Sequence, residues 1–377
     1  MLSKKEKIKY FCVLLAAAIK KTTIGGQALM EGLMMVGPER VSVACRRRDG
    51  SINVQYLPPV RKNAINRVPI LRGAVGLFRQ MILGTKAMML AAAQIEEDEN
   101  SVAEQTTAAA RTAATAQTAA DAQAATDARP TADVQVAAAA QATAAARPEA
   151  AIERNKPSQQ HNSLTTYALY GSAILGMVGG IAMFVLLPNL LAGLILRYSG
   201  LPIATTGKHT FIYSLFEGVI RLVILLGYLY LTSCIKDISR IWRYHGAEHK
   251  TIACYEAGED LTVDNVARHS RFHPRCGTSF LFLLVFCSVF LFSVVGWYGL
   301  WLNLLIRLLL VPILAGLSYE LLRWSGTHDR CLAGRIIATP GLWVQRLTTK
   351  EPDAPIIEVA IAAMKEVIPE DGRADIW

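Results

Sequence analysis

The sequence predicts a mainly α, polytopic membrane protein with about four transmembrane helices, a small N-terminal β-hairpin-containing region and cytoplasmic amphipathic helices. Three observations predict it. First, 52% of the 377 residues are hydrophobic and mean hydropathy is +0.30, too apolar for an ordinary soluble chain. Second, four long apolar stretches can each cross ~30 Å of hydrocarbon at ~1.5 Å per residue. Third, Lys and Arg gather in the segments on one side of those stretches, as they do in cytoplasmic loops.

Residues 1–23 open with "KKEKIKY" and "FCVLLAAAI". The apolar run is too short to span a bilayer. Lys20 and Lys21 follow it at once, with no small-residue cleavage site, so the reading is a helix on the membrane surface rather than a cleaved signal. Residues 24–95 begin with Gly25 and Gly26 and continue into "VSVACRRR" and "SINVQYL" around Asp49-Gly50, a strong hairpin signal. The segment Arg67 to Gln94 is apolar with charges at Arg72, Arg79 and Lys86, which predicts a helix on, or partly in, the membrane face. Residues 96–160 change character. From Ser101 to Ala150, 23 of 50 residues are alanine, leaving no apolar face to bury, so this reads as a low-complexity linker.

The first pair of spans falls in 161–234, at Leu164 to Leu196 and Phe211 to Cys234. The second falls in 278–322, at Thr278 to Val295 and Trp301 to Leu322, joined by a tight turn at "GWYG". Between the pairs lies a His-rich loop, 235–277. The tail, 323–377, carries Ile356, Val359, Ala360, Ala363, Met364 and Val367 at helical spacing after Asp353 and Pro355, which predicts a helix packed on its own domain. Loop and tail are rich in Arg and Lys, whereas the other connections are not. The positive-inside rule therefore puts both termini and the His loop in the cytoplasm. The net charge of +9 then orients the chain, and no basic stretch interleaved with aromatics points to nucleic acid. Seven cysteines without a CxxC argue against a disulfide framework and for a reducing compartment.

The chemistry concentrates in "YHGAEHK" and "HPRC". His245 and His249 are four apart, so on a helix they share a face and can reach one ion. The pattern H-x-x-E-H pairs two zinc-binding histidines with a glutamate general base, here Glu248. Zinc takes His nitrogen and Cys sulfur, and a catalytic site uses three protein ligands. His273, Cys276 and Glu320 are the candidates for the third. Thr278 or Ser279 is placed to cap the helix that follows Cys276. Glu217 and Arg221 form an i,i+4 pair inside the second span, where ionisable residues are costly and point to function.

At "YHGAEHKTIACYEAGEDLTVDNV" and "HPRCGTSF" the chain resembles the YqhQ family, bacterial integral-membrane proteins catalogued as predicted metal-dependent enzymes. "GGQALMEGLMM", "LFEGVIRLVILLGYLYL" and "AGLSYELLR" extend the resemblance across nearly everything from Ile24 to Ile368 except the Ala-rich insert. It adds motif positions at Glu31, Glu217, Arg221 and Glu256. Glu31 is either a partner of a metal-bound His or a surface carboxylate, and the glycines of its motif permit a tight turn.

The expectation is a membrane-embedded, metal-dependent enzyme, hydrolytic, with a zinc-type divalent ion at the cytoplasmic membrane surface. Its partners are the lipid bilayer and a membrane-associated peptide or lipid-linked substrate. The alternative is a non-enzymatic assembly or regulatory factor with a structural metal. Transport, prompted by Glu217 and Arg221, is less favoured because four spans show no internal repeat.

Overall fold

The computed structural model describes residues 21–58, 67–124, 152–154, 171–172, 174–176, 178–199, 208–295, 300–329, 331–370 and Asp375. The expected N-terminal surface helix, over its residues 1–20, and the turn at 296–299 lie outside the described residues.

Four strands, β1 (Gly25–Leu29), β2 (Gly32–Val36), β3 (Val41–Arg46) and β4 (Ile52–Leu57), form an antiparallel meander. A short β5 (Ile152–Arg154), inside the alanine-rich segment, adds in parallel to β4. The expected hairpin at Asp49-Gly50 is present, with Gly50 at φ 90°. Strand side chains alternate faces. Leu33, Met35, Ala44, Ile52 and Val54 bury one face, while Met34, Val41, Val43 and Cys45 bury the other.

The helices follow as α1 (Leu71–Ala124), α2 (Leu187–Tyr198, entered from a π-helical stretch at Ala182–Leu186), α3 (Lys208–Ser233) and α4 (Lys236–Glu256). They continue as α5 (Val263–Arg268), α6 (Gly277–Val295), α7 (Leu300–Thr327), α8 (Leu332–Thr348) and α9 (Ala354–Lys365). Helix α1 runs thirty residues past the expected end at Gln94, consistent with the high helix propensity of alanine. Ala87 and Ala91 of α1 cover one face of the sheet. α4 and α9 cover the other, with Tyr244, Ala247, Ile356, Val359, Ala360, Ala363 and Met364 in a single core.

Four helices are long and apolar enough to cross a membrane: Ile174–Leu196, Phe211–Ser233, Gly277–Val295 and Trp301–Thr327. They coincide with the four expected stretches, so the chain is a polytopic membrane protein. Large apolar side chains such as Leu231, Val223, Leu309 and Val294 face outward, as they do toward lipid. The shared core of sheet, α4 and α9 sets the connectivity. The sheet precedes the first span, α4 lies between the second and third, and α9 follows the fourth. One core built from all three requires them on the same side, so the spans must cross in pairs.

Candidate metal centre

The site forms where this extramembrane core meets the bundle. α4 carries His245 and His249 one turn apart, with ring centroids 4.4 Å apart. Cys276 immediately precedes α6. The ligand atoms of His245, His249 and Cys276 lie within 4.8 Å of one another, and His249 and Cys276 are buried. His245 Nε2 is 3.1 Å from Cys276 Sγ.

Both imidazoles are held from behind. His245 Nδ1 lies 2.7 Å from the Thr348 carbonyl at the end of α8. His249 Nδ1 lies 2.6 Å from the Arg271 carbonyl. A carbonyl only accepts, so each Nδ1 donates to its carbonyl, and in His245 the other ring nitrogen, Nε2, is turned toward the Cys276 sulfur. This is the arrangement that orients metal-ligating histidines.

Cys276 also caps α6. Its sulfur accepts from Thr278 N at 3.4 Å and lies 3.2 Å from Thr278 Oγ1. The expected cap by Thr278 or Ser279 is thus replaced by the cysteine itself. Thr278 turns toward the sulfur, and Ser279 Oγ accepts instead from Gln345 Nε2 at 3.0 Å.

The electrostatics follow from burial and mutual contact. Burial alone raises the Cys276 thiol, but the facing His245 and His249 hold it well below its ordinary range. Burial lowers His245, and the Cys276 thiolate more than offsets this, leaving it at about 9. Burial pushes the Glu248 carboxyl up, partly opposed by the two histidines.

Glu248 is 7% exposed and accepts from the Gly26 amide at 2.8 Å. Gly26 is therefore not a turn residue. It lies within β1, where an added Cβ would meet Met34 O at 2.6 Å and Glu248 Cδ at 3.0 Å. Gly246, inside the His motif, has a similar role: its Cβ would meet the Lys350 carbonyl at 2.1 Å.

The remaining candidates go elsewhere. His273 ring-packs on His249 at 5.7 Å, but its Nε2 faces Glu256 at 3.6 Å. Gln345 clamps its backbone, accepting from His273 N at 2.8 Å and donating to His273 O at 2.7 Å. Burial lowers His273, partly offset by Glu256. Glu256 ties the loop to the N-terminal segment, accepting from Thr22 N at 2.7 Å and pairing with Arg275. Glu320 does not join the group. Its carboxylate takes both forks of Arg72 at the start of α1, and so fastens α1 to α7. Glu31, at the β1–β2 turn with φ 55°, is partly exposed and pairs with Arg240. Glu217 and Arg221 form the expected pair, deep in the bundle and away from the histidines.

Sequence reasoning missed Gln345, Thr348 and Gly26. Each lies far along the chain from the histidines, and nothing local marks it. A second trio, Cys254, Glu259 and His269, also brings its ligand atoms within 4.8 Å, but Glu259 is exposed.

Comparison with known proteins places the chain. The family model described as "Protein of unknown function (DUF1385)" matches residues 68–370. The chain belongs to that family. It is 30% identical over 349 residues to "Uncharacterized protein YqhQ" of Bacillus subtilis (strain 168), covering 91% of this chain and 92% of the relative. No solved structure matches. The family description names no function, so the site geometry has to carry the functional argument.

Proposed function

We propose that the protein is a metal-dependent hydrolase of the bacterial inner membrane, with His245, His249 and Cys276 as ligands and Glu248 as general base. One observation carries the reading. Two Nε2 atoms and one thiolate converge, and both Nδ1 protons are already committed to carbonyls. Two imidazoles and one thiolate suit zinc, and three protein ligands leave a position open, as catalytic sites do. When bound, such an ion supplies Lewis acidity. The rest falls to the chain. Gly26 N–H orients Glu248, the carboxyl that takes the proton in this reading. Thr348 and Arg271 carbonyls orient the imidazoles.

The substrate class we favour is a lipid-linked group. An apolar groove of about 520 Å³ runs between α3, α6 and α8, lined by Leu222, Leu226, Phe282, Trp343, Val344 and Leu347. Val344 and Leu347 are next in sequence to Gln345 and Thr348, which hold His273 and His245. The basic residues of the 236–275 segment and the tail support a cytoplasmic location for this end of the bundle. A reporter fused after Trp377 then reads cytoplasmic, and one at 296–299 reads external; the reverse would overturn the orientation.

One observation favours a second reading, a structural metal that staples α4, the loop before α6 and the end of α8. His249 at 2% exposure and Glu248 at 7% have little contact with bulk water. Glu248→Gln separates the two. The amide keeps the shape but cannot accept a proton, so hydrolysis predicts normal abundance and metal content with complementation of a deletion strain lost. Full complementation at normal abundance would leave the staple ahead.

A further inference from the structure

The bundle contains a second buried polar cluster that the proposed hydrolysis does not use. Glu217 Oε1 accepts from Arg221 at 2.6 Å and also from Arg307 of α7. Arg221 donates to Ser288 Oγ on α6 and, at 2.8 Å, to the Phe184 carbonyl in the π-helical stretch. Such stretches are rare and gather at functional sites. The Phe292 ring lies under both guanidiniums, at 5.4 and 4.9 Å. All four charged and hydroxyl side chains are at most 6% exposed.

The charges do not balance. Two guanidiniums, which stay protonated, face one carboxylate. Among the described residues of the four spans the acidic ones are Glu217 and Glu320, and Glu320 is held by Arg72. A net positive charge thus sits in the hydrocarbon layer, where ionisable groups pair with a partner or line an ion or substrate path.

Beside it is space for one partner. Arg307, Asn189, Val185, Leu186 and Leu304 enclose a cavity of about 10 Å³, close to the ~10–15 Å³ that one water-sized particle needs. Its position is consistent from four helices. Asn189, Glu217, Ser288 and Arg307 each lie six or seven residues from one end of their spans, about 10 Å in. That is the end opposite the His/Cys group.

We infer that this cavity is a binding site for a single halide-sized anion, chloride by abundance, held by Arg307 and bordered by Asn189. Glu217 sets the two arginines and keeps them from repelling each other apart. The cavity volume is too small for phosphate or a lipid headgroup.

The test uses the full chain purified into nanodiscs in sodium gluconate, titrated with sodium chloride or bromide at constant ionic strength. The expected result is a saturable rise in melting temperature with either halide, and bromide detected at Arg307 by anomalous diffraction. Arg307→Gln removes the cation. Asn189→Leu fills the cavity and leaves all three charges, so it reports even where Arg307→Gln fails to fold. Both variants lose the saturable rise. Identical melting of the wild type in gluconate and halide, or an undiminished rise in Asn189→Leu, would overturn the site and leave water as the occupant. Metal content is read in parallel and stays unchanged, which keeps this test separate from that of the His/Cys centre.

Discussion

Helix α6 touches two clusters of buried ionisable groups, one at each end. Cys276 just before its start faces His245 and His249, while Ser288, twelve residues on and about 18 Å away, supports Arg221 beside Glu217 and Arg307. The two clusters meet the cost of burial differently. At the His/Cys end, the groups can exchange protons, and main-chain atoms satisfy them: the Thr348 and Arg271 carbonyls, the Gly26 amide and the Thr278 amide. At the Arg/Glu end, the guanidiniums cannot shed their charge, so the carboxylate, a serine hydroxyl, a π-helical carbonyl and an aromatic face surround them. The first arrangement gathers two imidazoles and a sulfur where, on the proposed function, an ion would bind. The second holds fixed charge, which suits an anion and fixes how the spans pack.

The largest effect expected from breaking this contrast is on metal. His249→Ala removes one of the three proposed ligands, so content measured by mass spectrometry falls from about one ion per chain to near zero. Chelator treatment of the wild type reproduces the loss. The same variant leaves the halide response intact.

Next is Glu248→Gln, the change that tests the hydrolytic reading. The expected loss is about 10²–10⁴-fold in rate, measured by complementation, or directly once a substrate is found, with metal retained.

Glu217→Gln acts on the other cluster. It leaves two guanidiniums without their carboxylate, and breaking a buried pair costs about 3–5 kcal/mol. Melting temperature and membrane abundance drop, while metal per folded chain is unchanged. Equal melting of variant and wild type would mean the charges are solvated and the cluster is not buried as described.

Gly26→Ala is smaller and sharper. The added methyl meets the Met34 carbonyl and Glu248, an overpacking cost of about 1–3 kcal/mol. It displaces the proposed general base without touching a proposed ligand, so function falls further than metal content does.

The smallest effect is at acid pH. Burial raises the Glu256 carboxyl, but His273 and Arg275 outweigh it and hold it below its ordinary value of 4.5. A depressed carboxyl contributes stability above its unfolded pKa and loses it as pH falls through the folded one. Melting temperature of the wild type therefore declines as pH drops below about 4.5, and Glu256→Gln flattens part of that decline.

Much of the fold was legible because its signals are local. The four spans follow from length and hydropathy, the hairpin from Asp49-Gly50, and the buried face of α9 from its periodicity. Within the site, the His245–His249 pair follows from helical spacing alone. The choice among His273, Cys276 and Glu320 was not legible, since all three lie at the same end of the bundle. Packing separates them. Arg72 takes Glu320, and Glu256 with Gln345 turns His273 aside, leaving Cys276 beside the pair.

The sequence by itself determined the elements: which stretches are apolar enough to span, which residues share a helical face, and where chemistry-bearing side chains concentrate. Tertiary structure alone decided the partners. Arg307 joins Glu217 across ninety residues of chain, Gly26 reaches Glu248 across more than two hundred, and the Thr348 carbonyl orients the His245 ring. Hydropathy and spacing act within a few turns of chain, so they can be read locally. Hydrogen bonds and ion pairs between distant segments depend on where packing brings those segments, and no local pattern encodes that.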